Sequence, residues 1–102
     1  MGDFISFVWD EEKNKANFIK HGILFQEAQD IFDDDYMIYN YDFTHSNYEQ
    51  RFQAIGMSAQ KRILMVVHCV SDGLIVRIIS ARKVDKKEKQ DYEERRARLE
   101  RN

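Results

Sequence analysis

The chain opens on an apolar block, Phe4-Ile5-Ser6-Phe7-Val8-Trp9, whose aromatic and β-branched residues predict a strand. Asp10 then stands as an N-cap, with Glu11 and Glu12 at the end where a helix dipole favours negative charge. That helix is expected to run to Lys20 or His21 and to close on Gly22 as a left-handed cap. Phe25, Ala28, Ile31 and Phe32 keep helical spacing, so a second short helix follows, ended by Asp33-Asp34-Asp35. Three strand-like stretches succeed it. Residues 36–43 alternate aromatic with smaller or polar side chains, 51–57 follow, and 63–70 (ILMVVHCV) are almost unbroken in apolarity. Ser71-Asp72-Gly73 reads as the turn of a hairpin into a strand over 74–81. Strands so continuously apolar are usually central and covered on both faces. The chain finishes as a helix in which Asp85 and Glu88 have capping-box spacing, while YEERRARLERN offers only Tyr92 and Leu99 as an apolar stripe. The order β-α-α-β-β-β-β-α predicts an α+β fold with a mostly antiparallel sheet and segregated helices.

Composition narrows this picture. Nothing divides the 102 residues: there is no proline, no Gly/Ser linker and no repeat, so a single domain over 1–102 is expected. The content, 43% apolar and 33% charged, suits a globular chain rather than a disordered one. No apolar run approaches the ~20 residues of a membrane span, and MGDFISFVWD lacks the pattern of a signal peptide. A lone Cys69 cannot form an internal disulfide, which favours a reducing, cytoplasmic setting. The net charge of −2 hides an asymmetry: residues 1–50 carry 3 Lys and Arg against 11 Asp and Glu, a net −8, whereas residues 51–102 carry 13 against 7, a net +6. Either the two halves neutralise each other in the fold, or the basic half faces a polyanion such as RNA.

Cofactor signals are missing. The four glycines are scattered, and His21, His45, His68 and Cys69 lack zinc-ligand spacing, with His68 and Cys69 adjacent on a strand and so on opposite faces. No metal and no cofactor are expected, and Cys69 reads as a small core residue. What remains is a set of cations and acid–base groups on neighbouring strands. Strict alternation puts Arg77 on one face with Ile75 and Ile79, and Ser80 and Arg82 on the other, unless a bulge changes the phase. Arg62 and His68 share a face of the preceding strand, about 20 Å apart. His45, Glu49 and Arg51 lie in or beside the loop HSNYEQR. Metal-independent RNA cleavage needs a base for the 2′-hydroxyl, cations for the charge that builds on phosphate, and an acid for the leaving oxygen. Glu49 or His45 are candidates for the base, and Arg51, Arg77 and Arg82 for the phosphate. Lys83, His68 or Tyr92 are candidates for the acid, with Arg62 and Ser80 as further substrate contacts. Each has a plainer reading: Glu49 and Arg51 as an ion pair, His68 as a satisfied core histidine, Tyr92 as helix packing, Arg77 as the partner of an acidic group in the N-terminal half.

The segments FVWDEEKNKANFIKHGILFQEAQDIFDD, HSNYEQRFQAIGMS, RILMVVH and IVRIISARK, with Glu88 and Tyr92 beyond, together resemble the BrnT family, ribonuclease toxins of bacterial type II toxin–antitoxin systems. The resemblance runs from Phe7 to Tyr92. It implies a RelE-like fold, a small twisted, mostly antiparallel sheet with two N-terminal helices packed on it. It also implies RNA cleavage that halts translation and growth, and neutralisation by a cognate BrnA-type antitoxin, in an expected heterotetramer. Operator DNA would be met only through the antitoxin. The family's motif positions fall on Lys20, His21, His45, Ser46, Glu49, Arg51, Arg77, Ser80, Arg82 and Lys83. An Asp run replaces a frequent Pro after the second helix, Asp85 stands where Thr is usual, and the tail beyond Tyr92 is unusually rich in Arg and Glu. On this view the apolar middle of RIISARK anchors a strand that holds its flanking cations rigidly, as electrostatic stabilisation requires. Two rivals stay open: a binding module without catalysis, whose arginines hold an acidic antitoxin, and a ParE-like toxin that poisons gyrase. A gyrase poison needs no base near its arginines, and His45 and Glu49 beside Arg51 favour the ribonuclease.

Overall fold

The structure, a computed structural model, describes residues 6–46 and 48–101. Strand β1 (Ser6–Val8) leads into helix α1 (Glu11–His21), then α2 (Phe25–Ala28) and a 3-10 turn, Gln29–Asp33. Strands β2 (Ile38–Tyr41), β3 (Phe52–Met57), β4 (Ile63–Ser71) and β5 (Ile75–Lys83) follow, and α3 (Lys86–Glu100) closes the chain. Phe4 and Ile5, expected to begin the first strand, lie outside the described residues. The sheet order is β1-β5-β4-β3-β2, with β1 parallel to β5 and the other pairs antiparallel. The fold is therefore α+β on a five-stranded mixed sheet. No helix among the described residues is long and apolar enough to cross a membrane.

The helix ends follow local chemistry. Asp10 accepts the Lys13 N–H, and Gly22 at φ 73° takes the left-handed position that closes α1. Asp85 and Glu88 form a complete capping box on α3. The inward face of α1, by contrast, is polar. Its buried residues are Asn14 and Asn17. Asn17 donates to the carbonyls of Ile23 and Ala81 and accepts the Ala81 N–H, so its amide stands in for a strand neighbour where β1 has ended. Asn14 accepts the Phe25 N–H and ties α1 to α2.

One sheet face carries the main core, in which Ile23, Phe25, Ala28, Ile31 and Phe32 pack on Ala54, Leu64, Val66, Val76, Ile78 and Ala81. Full burial of such side chains contributes roughly 1.5–3 kcal/mol each. Gly56 admits the 3-10 turn: a Cβ there would meet Ile31 Cβ at 2.9 Å. On the other face α3 covers one end only, where Tyr92 packs with Ile55 and Met65.

Alternation along β5 is broken once. Val67 faces Ser80 but His68 faces Ile78, so Ile79 is an extra residue in a bulge. Arg77 (opposite Cys69), Ser80 (opposite Val67) and Arg82 (opposite Met65) thus share the face away from the main core, while Val76, Ile78 and Ala81 keep the other. The opposite placement of the two arginines expected from strict alternation is corrected by this bulge. β5 also extends to Lys83, two residues further than expected, so the closing cations of RIISARK are strand residues.

Candidate functional site

At the end of this face not covered by α3, the loop 42–51 delivers its polar residues against β4 and β5. Asp42 organises the loop. Its buried Oδ1 accepts the Thr44 and His45 N–H groups, and its Oδ2 lies 3.1 Å from His45 Nδ1. A second clasp comes from Ser46, whose hydroxyl donates to the Asp42 carbonyl and accepts the Arg51 N–H. Burial works to raise the Asp42 pKa, but hydrogen bonds from His45 and Gln53 outweigh it and hold the carboxyl below its usual range. Because a carboxylate only accepts, Nδ1 of His45 carries the hydrogen, and in a neutral ring Nε2 is then the acceptor. The ring is 63% exposed and opens to solvent.

Glu49 sits between two arginines. Its Oε2 accepts from Arg77 Nη2 at 2.5 Å, and its Oε1 lies 3.8 Å from Arg51 Nη2. The Arg77 guanidinium holds the Glu49 carboxyl below the usual carboxylate range, and Glu49 in turn raises Arg77. Arg77 also reaches Cys69 Sγ at 3.8 Å; burial, then Glu49, pushes that thiol up, so it stays protonated at neutral pH. Arg51 Nε is buried without a hydrogen-bond partner. His45, Tyr48, Glu49 and Arg51 line a pocket of about 250 Å³. A larger cavity, about 400 Å³, is lined by Asp30, Asp33, Asp34 and Asp35 with Lys61 and Arg96, and its acidic residues outnumber its basic ones.

Not every expected site residue joins this group. Ser80 and Arg82 share its face further along β5, and Arg82 is held there by a two-pronged pair with Glu88 at 2.9 Å. Lys83 is exposed at the far end of the strand, on the face of the main core. The remaining three lie apart from this group and make other contacts. Arg62 grips Glu27 on the helix-covered side and lowers its pKa. His68 is wholly buried among Phe32, Phe52 and Tyr39, with Nε2 accepting the Tyr39 hydroxyl at 2.7 Å. Burial depresses its pKa to about 4, so it is neutral and out of reach of substrate. Tyr92 is buried and donates its hydroxyl to Asp34 at 2.5 Å; burial, then that carboxylate, raises its pKa and makes it a poor acid. Lys20 and His21 form the last turn of α1, whose Asn17 holds β5 from the core side. Asp42 was missed, although its spacing of three residues before His45 is the available signal. Among the described residues no cluster of three or more His, Cys, Asp or Glu is placed to hold a metal ion.

The sequence profile of a family described as "Ribonuclease toxin, BrnT, of type II toxin-antitoxin system" matches residues 9–88. No curated protein sequence matches the chain. Among solved structures, the crystal structure of the Brucella abortus ribonuclease toxin BrnT superposes with a TM-score of 0.59 at 23% identity, over 80% of this chain and 99% of that one. That likeness concerns the fold; the profile, spanning most of the chain and both arms of the site, decides the family. The chain belongs to the BrnT family of type II toxin–antitoxin toxins, a family that implies a cognate antitoxin.

Proposed function

We propose that this protein is a metal-independent endoribonuclease toxin with a RelE-like fold, neutralised by a BrnA-type antitoxin. The observation that carries the reading is the Glu49 carboxylate held between Arg51 and Arg77, an anion already seated where two guanidinium groups converge. A phosphodiester offers those donors the same planar match and takes the place of Glu49. His45 Nε2, with Nδ1 fixed by Asp42, removes the proton of the 2′-hydroxyl. The 2′-oxygen then bonds to phosphorus, the bond to the 5′-oxygen breaks, and that oxygen takes its proton from solvent at this open site. Arg51 and Arg77 stabilise the extra charge on the phosphoryl oxygens. Ser80 and Arg82, on the same face, guide the strand towards α3. The products are a 2′,3′-cyclic phosphate and a 5′-hydroxyl.

RNA cleavage by purified protein in chelator tests this directly. Wild type and Tyr92→Phe should cut, and Arg77→Ala and His45→Ala should lose on the order of 10²-fold or more in rate. Induction that arrests growth while RNA stays intact would support the gyrase-directed rival instead. An antitoxin that covers the site must meet the same arginines, so Arg77→Glu should weaken its binding as well.

A further inference from the structure

At the opposite end of β5 lies a second pocket, of about 320 Å³, lined by Lys61, Arg62, Ile63, Lys83, Val84 and Lys89. Arg62 is committed to Glu27. The other three cations have no ion pair among the described residues. Two of the three also stand against local preference. Lys61 occupies the left-handed region at φ 66°, where Gly or Asn is the usual residue. Lys89 is the fourth residue of α3, near the positive end of the dipole, where an acidic side chain would be favoured. Lys83 acts at a distance on Glu27, and Lys61 also borders the aspartate-lined cavity, but no carboxylate lines this hollow itself. Cations that break local rules and gather around such a hollow point to an external anion.

We propose that this pocket is a distal phosphate subsite for the RNA strand, outside the cleavage site. It rests on the ribonuclease reading above. Arg77 and Lys83 are six residues apart on β5, about 20 Å at ~3.3 Å per residue; Ser80 and Arg82 share the face of Arg77 and Lys83 lies on the other, so a strand that reaches the pocket turns over the end of β5. The pocket floor, Ile63 and Val84, is aliphatic and presents no ring on which a base would stack, so the contact is to backbone phosphate and independent of sequence. Ammonium groups on flexible stems suit that purpose. The subsite therefore lengthens the footprint on RNA without adding base specificity.

The test compares wild type with the triple variant Lys61→Asn, Lys83→Gln, Lys89→Gln. Asn tolerates the left-handed backbone, so the variant should melt no lower than wild type. Binding of an uncleavable 2′-O-methyl dodecamer is followed over a range of salt. Each lysine that contacts phosphate contributes about 0.7 to the slope of log K against log salt on a single strand, so the triple variant should lose about 2. A trinucleotide, too short to reach from Arg77 to Lys83, should bind both proteins alike, and the rate of its cleavage should not change. An unchanged slope with the dodecamer overturns the subsite while wild-type cleavage leaves the ribonuclease reading standing. An unchanged slope together with weakened antitoxin binding assigns the pocket to the protein partner and also overturns it. If wild type neither binds nor cuts the ribo-dodecamer, the underlying reading fails and the subsite with it.

Discussion

Their surroundings suit Glu49 and His45 to different parts in the proposed reaction. A carboxylate pinned by Arg77, its pKa pushed below the usual range, is a weak base at neutral pH. An imidazole whose Nδ1 is held by Asp42 keeps an exposed acceptor at Nε2. The expected outcome for Glu49→Gln follows. The neutral amide gives up its competition for Arg51 and Arg77, so KM for RNA should fall several-fold while kcat changes by less than about tenfold. A drop in kcat on the order of 10²–10⁴ would make Glu49 the base. Steady-state cleavage of a short fluorogenic oligonucleotide separates the two. Both residues were visible in HSNYEQR as candidates, because loop position and residue type are local facts. Which of them is free to take a proton was not, since that depends on Arg77, 28 positions away in the chain.

At the scale of elements, most of what was legible obeys rules within a few residues: the Asp10 cap, the Gly22 stop, the Asp85–Glu88 box and the apolar run of β4. The bulge was not legible, because phase in a strand is set by the partner's register, and no composition signal marks Ile79 as the extra residue. Nor did periodicity foretell that α1 would dock through two buried asparagines rather than an apolar stripe. The bulge makes a sharp prediction. Deleting Ile79 restores a regular ladder in which Arg77, Ser80 and Arg82 stay on the open face and Val76, Ile78 and Ala81 stay in the core. The variant should fold, at a cost of about 1 kcal/mol for one half-buried side chain, and still bind RNA. Inserting an alanine between Ser80 and Ala81 should instead turn Ala81 out and Arg82 inwards. An unpaired buried guanidinium then costs more than the fold can spare. Thermal unfolding of the two variants checks this; similar melting of both would show that the register absorbs the change elsewhere.

Across the molecule, ion pairs among the described residues join the acidic and basic halves at Glu27 with Arg62 under the helices and at Glu49 with Arg51 and Arg77 on the open face. Part of the charge asymmetry is therefore neutralised within the fold. The titratable group that couples the core to pH is His68, which joins the ring layer of Phe32, Tyr39 and Phe52 beneath the sheet. Its folded pKa, about 4, lies below the unfolded value of 6.5. Between those values the unfolded chain binds the proton that the folded one refuses, so stability rises with pH there and is lost as pH falls from 6.5 towards 4. By about pH 4.5 the loss from this one group should reach about 2–3 kcal/mol relative to about pH 7.5. Urea unfolding at the two pH values measures it, with His68→Phe as the comparison. Phenylalanine keeps the ring packing and removes the imidazole that the Tyr39 hydroxyl bonds, so the variant should lose the titration while keeping the fold. Its stability should fall by about 2–3 kcal/mol less than that of wild type over the same interval. Parallel losses would mean that the ring layer accepts a charged imidazole, and that acid sensitivity resides in the surface carboxylates instead.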